Sequence, residues 1–559
     1  MDAATFLDNF ATIAEAPGGV QRLRDLVLEL AVSGRISSLA ASDEPAARLL
    51  ERIAADQLVT ASNLTEPVSA GVEPWSLPDT WRWARLKEVA DFAAGRTPPT
   101  KDASFWSEGG GHAWVSIGDM PDGSEVRTTK RKVTGKAVAD IFGHDPDPPG
   151  TILMSFKLTI GKVARLAIPA FHNEAIISIA TPFPVIGEYL FRTLPLLTKG
   201  GSSKAAIMGD TLNKTSLTNL LVPVPPLAEQ ERIVAKVDEL MGLCDELEAH
   251  QERRQRATSR FRGSALHALT EAETPDDLRS AWGRVNANWP ALTVSPGAIE
   301  PIRKTILHLA IRGRLGLAAA GAEETAEDLI AATKNHRGLV EQARSVRQPK
   351  QLSPINDVPK PFDLPTGWGW ARFSEVGELA RGKSQHRPRN DHSLYVNGDV
   401  PLIQTGDVAR ATGTIQTSSS AYNEKGLRQS RLWPAGTLCI TIAANIADSA
   451  LLGFDACFPD SVVGFVPFAP IPDARYFEYF MRTAQSNLEQ FAPSTAQKNI
   501  NLGILDELLI PLPPVEEMRR IVEHVEALMG LCDTLEHGLL SRDSAASRLA
   551  ARSTNAIAG

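Results

Sequence analysis

The chain has 559 residues, 43% hydrophobic and 22% charged, which is ordinary for globular protein and predicts about four domains of about 100–200 residues each. Its 58 Lys and Arg residues against 66 Asp and Glu residues give a formal net charge of −8, the wrong sign for a protein that coats nucleic acid without sequence preference. The N-terminus lacks the basic and apolar regions of a secretory signal, and no apolar run reaches the roughly 18 residues of a membrane span, so we expect a cytoplasmic protein.

Three blocks of sequence occur twice and in the same order, which indicates an internal duplication. The longest pair is PVPPLAEQERIVAKVDELMGLCDELE and PLPPVEEMRRIVEHVEALMGLCDTLE, 288 residues apart and identical at 16 of 26 positions. The first copies of the three blocks are residues 23–35, 77–85 and 223–248. Their second copies, in the same order, are residues 302–314, 364–372 and 511–536.

Between these blocks the two halves differ. Residues 124–136 have little in common with 411–425, and residues 156–167 have little in common with 443–453. A shared scaffold with two variable regions predicts two related surfaces that read two different targets. Neutral drift after duplication is the alternative.

In chain order, the helical periodicity and the distribution of Gly and Pro predict six segments and an α+β fold with a pseudo-twofold repeat. They are an N-terminal helical arm (1–70), a first variable domain (71–222), a helical spacer (223–270), a central helical region with a linker (271–360), a second variable domain (361–510) and a second helical spacer (511–559). The variable domains contain short β-rich runs, such as GTILMS and GTLCIT, between turn signals.

Both helical spacers carry apolar residues in steps of four and three, the a/d pattern of a coiled coil. These positions are Ile233, Val237, Leu240, Cys244 and Leu247 in the first spacer, and Ile521, Val525, Leu528, Cys532 and Leu535 in the second. We expect the first helix to run from Pro226 to about Leu269, about 60 Å, and the second to be shorter because fewer residues follow. Two copies of one seam predict an antiparallel pair; two ordinary core helices are the alternative.

Together these features resemble the specificity subunit of type I restriction-modification systems, over nearly the whole chain. The resemblance depends on four shared features. The W-x-W-A-R motif lies at residues 81–85 and 368–372, the Gly-Asp turns at 117–119 and 405–407, and the L/I-N pairs at 212–213 and 500–501. The spacer motif EQERIVxKVDxLM lies at residues 229–241.

The resemblance implies that each variable domain is a target recognition domain for one half of a split double-stranded DNA site. It implies that the spacers dock modification (methyltransferase) subunits, and that a restriction (translocase and endonuclease) subunit joins them. It also implies that this chain is non-catalytic and binds no cofactor, whereas its partners use S-adenosylmethionine, ATP and magnesium.

Two motifs with catalytic associations are better explained without catalysis. Residues 377–384 fit the P-loop pattern G-x-x-x-x-G-K-S, but the Gln-His-Arg-Pro that follows interrupts the helix a phosphate site needs. Residues 147–150, Asp-Pro-Pro-Gly, are similar to an adenine methyltransferase element, but glycine has no aromatic face for a flipped base, so we expect a turn before a strand. No C-x-x-C pair or His cluster predicts a metal site, and we expect the four cysteines to be reduced.

Donors in loops are the candidate DNA contacts, because Arg and Lys bond guanine edges or phosphates and Gln and Asn bond adenine. The segment 381–389, RGKSQHRPR, is the richest, and residues 95–101 are its first-half counterpart. The candidate DNA-binding residues are Arg96, Lys101, Ser116, Lys157, Lys162, Lys204, Arg381, Lys383, Gln385, Arg387, Arg389, Gln404, Arg428, Asn445, Gln497 and Lys498. For each one alone, a solvated surface charge is the alternative.

Two other functions stay open at this point. A multidomain restriction-methylation enzyme is opposed by the missing catalytic motifs. A coiled-coil scaffold that binds only protein is distinguished from a DNA reader by whether the assembled complex binds a split DNA site.

Overall fold

The computed structural model describes residues 3–38, 40, 42–55, 73–157, 159–198, 214–315, 324–343, 354–355, 358–443, 447–485 and 501–558. It divides into two compact units, the first formed by Met1–Arg254 with Ser541–Gly559 and the second by Gln255–Leu540. Each unit contains one copy of every repeated block. The duplication in the sequence is therefore a duplication of structure.

The first unit begins with helices and continues into a domain of short strands. Its helices are α1 (Ala3–Asp8), α2 (Phe10–Glu15), α3 (Gly19–Val32), α4 (Ala46–Ala55), α5 (Leu86–Val89), α6 (Gly135–Ala137), α7 (Pro184–Thr198), α8 (Lys214–Thr218) and α9 (Leu227–Thr270), which continues into the second unit. Its strands are β1 (Arg82–Arg85), β2 (Asp91–Ala94), β3 (Trp106–Ser107), β4 (His112–Val115), β5 (Ser124–Val126), β6 (Arg131–Val133), β7 (Ile152–Ser155), β8 (Val163–Leu166), β9 (Ala170–His172), β10 (Ile176–Ala180) and β11 (Leu221–Val224). Short helical turns of 3₁₀ and π type lie at Ala103–Phe105, Ile117–Asp119 and Val138–Phe142.

Three sheets organise the first domain. A five-stranded sheet has the order β2-β10-β7-β8-β5, and a four-stranded sheet has the order β3-β6-β4-β9. β1 pairs with β11 in antiparallel register, with Arg82 opposite Val224, which places the W-x-W-A-R motif beside the start of α9. All four residues of β7 are buried, as expected for the central strand of a covered sheet.

The second unit has the same sequence of elements. Its helices are α10 (Pro275–Ala287), α11 (Trp289–Leu292), α12 (Ile299–Ile311), α13 (Ala326–Ala343), α14 (Phe373–Val376), α15 (Thr405–Arg410), α16 (Glu424–Arg428), α17 (Arg475–Ala484), α18 (Leu502–Glu507) and α19 (Val515–Ala558), which ends in the first unit. Its strands are β12 (Gly369–Arg372), β13 (Gly377–Arg381), β14 (Val400–Leu402), β15 (Thr414–Ile415), β16 (Ser420–Tyr422), β17 (Leu432–Trp433), β18 (Leu438–Thr441), β19 (Ser449–Leu452), β20 (Ala456–Cys457), β21 (Val462–Pro467) and β22 (Leu509–Leu512). Two 3₁₀ turns lie at Pro296–Ala298 and His392–Leu394.

The second domain repeats the sheet orders of the first. Its sheets run β13-β21-β18-β19-β15, β16-β14-β20-β17 and β12-β22. The four-stranded sheets differ at one edge, because β3 adds beside β6 in the first domain whereas β17 adds beside β20 in the second. At the place of β17 the first domain has a single bridge between Asp147 and Ala170. The predicted α+β fold with a tandem repeat is confirmed.

Each unit ties a leading helix to a long helix with the same ion pairs. Arg24 of α3 contacts Asp245 at 2.7 Å and Glu248 at 2.6 Å on α9. Arg303 of α12 contacts Asp533 at 2.5 Å on α19, and the glutamate three residues further on at 2.8 Å. Partly exposed pairs stabilise a fold little, so their recurrence is informative about helix orientation rather than about stability.

A glycine at the end of each leading helix connects the first repeated block to the second. Gly34 has a φ of +75°, and a Cβ on it would lie 2.6 Å from Cγ of Pro78. Gly313 has a φ of +66°, and a Cβ on it would lie 2.5 Å from Cγ of Pro365. The end of the leading helix can therefore pack on the Leu-Pro-x-x-Trp turn only if this position is a glycine, because any side chain would collide with the proline.

The long helices α9 and α19 each contain 44 residues, about 66 Å at about 1.5 Å per residue. The predicted extent of the first is confirmed. The expectation of a shorter second helix is wrong, because that helix starts at Val515 and continues to Ala558. The unit boundary falls within both helices, after Arg254 in α9 and after Leu540 in α19.

The two seams, however, do not pair with each other. Ile233 and Val237 lie in the hydrophobic core of the first domain, and Ile521 and Val525 lie in that of the second. Among the described residues, no core cluster contains positions of both seams. The first heptads of each helix seal a sheet domain, which their spacing alone could not distinguish from a coiled-coil seam.

The later seam positions meet the far end of the other helix. In the first unit Cys244 clusters with Ala550 of α19 and with Leu23 of α3. In the second unit Cys532 clusters with Leu266 and other residues near the end of α9. The two long helices therefore do contact each other. The later positions of each seam pack on the C-terminal part of the other long helix.

One buried carboxylate of the second domain lacks a close partner. Glu478 lies on α17, with Arg475 at 3.8 Å and Arg482 at 3.7 Å, both beyond hydrogen-bond distance. Burial raises the pKa of Glu478 to about 7, against the opposing effect of the two arginines.

Candidate DNA interface

Two loops leave equivalent strand ends in the two domains. The first starts at Gly95 after β2, and the second starts at Gly382 after β13. A Cβ on Gly95 would lie 2.0 Å from the carbonyl oxygen of His172, and a Cβ on Gly382 would lie 2.1 Å from that of Phe458. Both glycines are required by a close approach of two backbones, so the loops begin at the same point of the fold.

This geometry removes the two catalytic interpretations. Gly377–Arg381 is strand β13, paired with β21, so the P-loop-like motif is half strand and cannot wrap a phosphate. Residues 147–150 form a turn before β7, as expected. Within that turn the Asp147 carboxylate lies 3.1 Å from Nε2 of the buried His172. Asp147 therefore has a structural partner.

The loop of the second domain is fixed by two side chains from the segment after α16. Oε1 of Gln429 accepts hydrogen bonds from the backbone N–H groups of Gln385 (2.6 Å) and His386 (3.0 Å). The Ser430 hydroxyl donates to the carbonyl oxygen of Lys383 at 2.7 Å. The loop backbone is therefore held in one conformation while the side chains of Lys383 and Gln385 stay exposed.

The four basic residues of the predicted segment 381–389 divide into two pairs, with Arg381 at the end of β13 and the other three in the loop. Arg387 donates to two carbonyls of its own loop at 2.7 and 2.8 Å, and Arg389 forms a bidentate contact with Asp460 at 2.7 and 2.8 Å. Arg381 and Lys383 are exposed, and their side chains have no hydrogen bond or ion pair with any other described residue. Arg381 and Lys383 are therefore the basic residues of this segment that are available to DNA.

The other predicted contacts of the second domain have local roles. The backbone N–H of Gln404 donates to Asp407 at 2.8 Å, which caps α15. Arg428 contacts Glu424 at 2.5 Å on α16. The candidates Lys204, Asn445, Gln497 and Lys498 lie outside the described residues.

In the first domain two of the predicted contacts brace the structure. Arg96 donates to the carbonyl oxygens of Ile141 and Phe142 in the π turn. The Ser116 hydroxyl donates to Asp119 at 2.6 Å, so it closes the turn that the Gly-Asp motif predicted. Neither side chain is free to turn to DNA without giving up these bonds.

The three predicted lysines of the first domain differ in their surroundings. Lys157 lies over the ring of Phe156 at 5.3 Å, and Nζ of Lys162 donates to the carbonyl oxygen of Ile117 at 3.4 Å. Lys101 is exposed and has no side-chain partner among the described residues. Of the predicted first-domain contacts, Lys101 is the one that is available.

A group of exposed cations on and around β6 was not among the predicted contacts. They are Lys130, Arg131, Lys132 and Lys136, whereas the exposed Arg127 is paired with Glu125. They fall in the divergent segment 124–136, and the run RTTKRKVTGK was itself a visible signal of a basic patch. The second half has no similar basic run at the matching position, so comparison of the two halves does not identify this patch.

The described residues contain no metal-binding or reactive cysteine site. Among them, no group of three or more His, Cys, Asp or Glu side chains is placed to hold a metal ion. All four cysteines are buried, and burial raises the pKa of each thiol. No helix in the described part of the chain is both long enough and apolar enough to cross a membrane.

The two domains share one fold and display different exposed cations, as two surfaces that contact different DNA sequences would. Comparison with known families agrees, because the model of the type I restriction modification DNA specificity domain matches residues 78–255 and 365–542. The chain belongs to this family, and it is a type I restriction-modification specificity subunit. Such subunits recognise DNA and are not catalytic.

Individual relatives have low sequence identity to this chain. The EcoEI specificity subunit of Escherichia coli is 24% identical over 569 residues, which cover 96% of this chain and 94% of that protein. The EcoAI specificity subunit of the same organism is 28% identical over 386 residues, which cover 65% of this chain and 63% of that protein. The solved HsdS subunit of Thermoanaerobacter tengcongensis is 18% identical with a TM-score of 0.40, covering 87% of this chain and 98% of that one.

Proposed function

We propose that the chain reads a bipartite double-stranded DNA site, with one recognition domain on each half-site, in a complex with modification subunits and a restriction subunit. The observation that carries this proposal is the repeated scaffold with different free donors, Lys101 in one loop and Arg381 and Lys383 in the other. Bases are distinguished by the donors that a protein presents, so two different surfaces suit two different sequences. S-adenosylmethionine, ATP and magnesium are proposed to be bound by the partner subunits and not by this chain.

Methylome sequencing of a host that expresses the chain with its modification subunits tests this proposal. The expected motif has two short defined sequences separated by unspecified bases. A single continuous motif would contradict one domain per half-site. Failure of the assembled complex to bind DNA in gel shifts would favour a protein-only scaffold, and methyl transfer by the chain without partners would favour a multidomain enzyme.

The loop of the second domain offers a sharper test. Arg381→Ala with Lys383→Ala should weaken DNA binding and flatten the salt dependence of log K by up to about 1.8, at about 0.9 for each phosphate that is no longer neutralised. Arg389→Ala is the matched control, because it removes a cation that already pairs with Asp460. Equal effects of the double variant and the control would show that the loop does not face DNA.

We propose that the modification subunit docks on the helices, in an apolar groove of the second unit. The groove has a volume of about 610 Å³ and is lined by the end of α9 and by α10, α12 and α19. Trp282 and Leu531 line it although their side chains are 57% and 66% exposed. An exposed apolar groove marks an interaction site, and an exposed tryptophan is a typical anchor of an interface. A groove between helices suits an amphipathic helix of the partner.

A further inference from the structure

In the first domain an exposed arginine of the four-stranded sheet lies over a tryptophan ring. Cζ of Arg131, on β6, is 3.3 Å from the centroid of the Trp106 ring and 5.9 Å from that of Trp114. The two indoles pack edge to face, with centroids 5.0 Å apart and an interplanar angle of 85°. Contact with a ring this close restricts the guanidinium group before any ligand binds.

The two indoles are tied to the loop that was predicted to contact DNA. Trp106 donates its indole N–H to the carbonyl oxygen of Pro99 at 3.0 Å, and Trp114 donates to that of Arg96 at 3.0 Å. Arg131 therefore lies on the same aromatic support that holds the Gly95–Lys101 loop. The exposed Lys101 belongs to that loop, and the exposed Lys130 directly precedes β6.

The guanidinium group of Arg131 keeps its hydrogen-bonding capacity. Among the described residues, no carboxylate pairs with it and no acceptor takes its N–H groups. The nearby Arg127, by contrast, contacts Glu125 at 2.8 Å. Arginine offers a planar fork of donors that matches O6 and N7 of guanine in the major groove, the commonest specific contact between proteins and DNA.

The second domain has no arginine at the equivalent position, and its own arginine over an indole, Arg431 on Trp433 at 3.7 Å, is paired with Glu378 at 2.7 Å. Arg131 lies opposite Trp114 in its sheet, and Ser420 lies opposite Leu402 at the same place in the second domain. The alignment is fixed by a shared contact, because Nζ of Lys136 contacts Ser104 at 3.0 Å as Nζ of the equivalent lysine contacts its own serine at 2.6 Å. The arginine and its indole support therefore distinguish one reading surface from the other.

We propose that Arg131 is a specificity-determining residue of the first domain and bonds a guanine edge in the half-site that this domain reads. Lys101 and Lys130 make phosphate contacts that position it. Trp106 acts through Arg131 and is a positioning residue. This inference rests on the proposed function, since it assigns a base contact within one of the two half-sites.

Methylome sequencing of the assembled complex tests it with three variants. Arg131→Ala should lose selection of one guanine in one half-site, with about 10-fold or more of the discrimination at that position removed, while the other half-site is unchanged. Arg131→Lys should lose the same position, because an ammonium group keeps the charge but not the planar fork. Arg127→Ala is the control and should leave the motif intact.

The possible results distinguish failure of the base contact by Arg131 from failure of the proposed function. An unchanged motif for Arg131→Ala, or a motif retained by Arg131→Lys with weaker binding at high salt, overturns the base contact. A wild-type complex without a two-part motif overturns the proposed function instead. The intact second half-site in each variant shows that the complex has folded and assembled.

Discussion

Lengthening both long helices by four residues should widen the gap between the two half-sites. The insertion points are after Arg254 in α9 and after Leu540 in α19, where the unit boundary crosses each helix. Four residues add about 6 Å at about 1.5 Å per residue and turn the helix by only about 40° beyond a full turn. DNA advances about 3.4 Å per base pair, so the gap should grow by one or two base pairs.

The structure also requires that both helices be lengthened. Core residues anchor each helix on both sides of the insertion points, Leu247 and Ala265 on α9 and Leu539 and Ala546 on α19. Insertion into one helix alone, for example after Leu247, would set its anchors out of register with those of the other. We expect that single insertion to impair the complex and not to change the gap.

The assay is methylome sequencing of cells that express the variant with its modification subunits. Both half-site sequences should survive, because neither reading surface is altered. Two-residue insertions at the same points are the control, since they turn the helices by about 200° and should abolish methylation. An unchanged gap in the four-residue variant, or altered half-site sequences, would refute the view that helix length sets the spacing.

Three further predictions concern stability and assembly. Gly34→Ala should lower the free energy of unfolding by about 1–2 kcal/mol or more, because φ is +75° and the new methyl group would contact Pro78. Gly283→Ala, in open space on α10, is the control and should not lower it. Urea denaturation of the assembled complex compares the two variants. Glu478→Gln should remove a pH dependence of the free energy of unfolding. Because the pKa of Glu478 is raised from 4.5 to about 7, the free energy of unfolding of the wild type should fall by on the order of 3 kcal/mol as pH rises from about 4.5 to above 7. The same pH dependence in the wild type and the variant, measured by denaturation across this range, would contradict it. Leu531→Asp should weaken co-purification with the modification subunit, and an equal loss with Leu540→Asp, which lies outside the groove lining, would argue against the groove.

The features predictable from the sequence are those encoded by periodicity and by recurrence. The duplication, the extent of α9 and the α+β texture of the variable domains all follow from patterns that repeat along the chain. The length of α19 is an exception, because no stop signal follows its seam and the helix continues to Ala558. The partners of the seams could not be predicted, because apolar residues at heptad spacing pack equally well on a sheet domain and on another helix.

The candidate site was predictable only as a location. Residues 382–389 form a loop as predicted, and Arg381 ends strand β13. Asp460, which pairs with Arg389, lies 71 residues further along the chain. The contact of Arg131 with Trp106 joins two strands across a sheet, and no local pattern encodes which ring a cation meets. Whether a cation is free or engaged is a tertiary property, so sequence alone overcounts the residues available to DNA.

The distribution of shared and divergent residues explains how one scaffold can read two sequences. The residues common to both copies lie at joints, such as the ion pairs of Arg24 and Arg303 with the long helices and the glycines that pack on a proline. A change at such a joint would shift a whole domain, since backbone and helix contacts fix its position. The divergent residues, such as Arg131 and Ser420, lie at matching register on equivalent strands, where a substitution alters the donors and leaves the backbone in place. Recognition can therefore change in either domain without disturbing the frame that positions both.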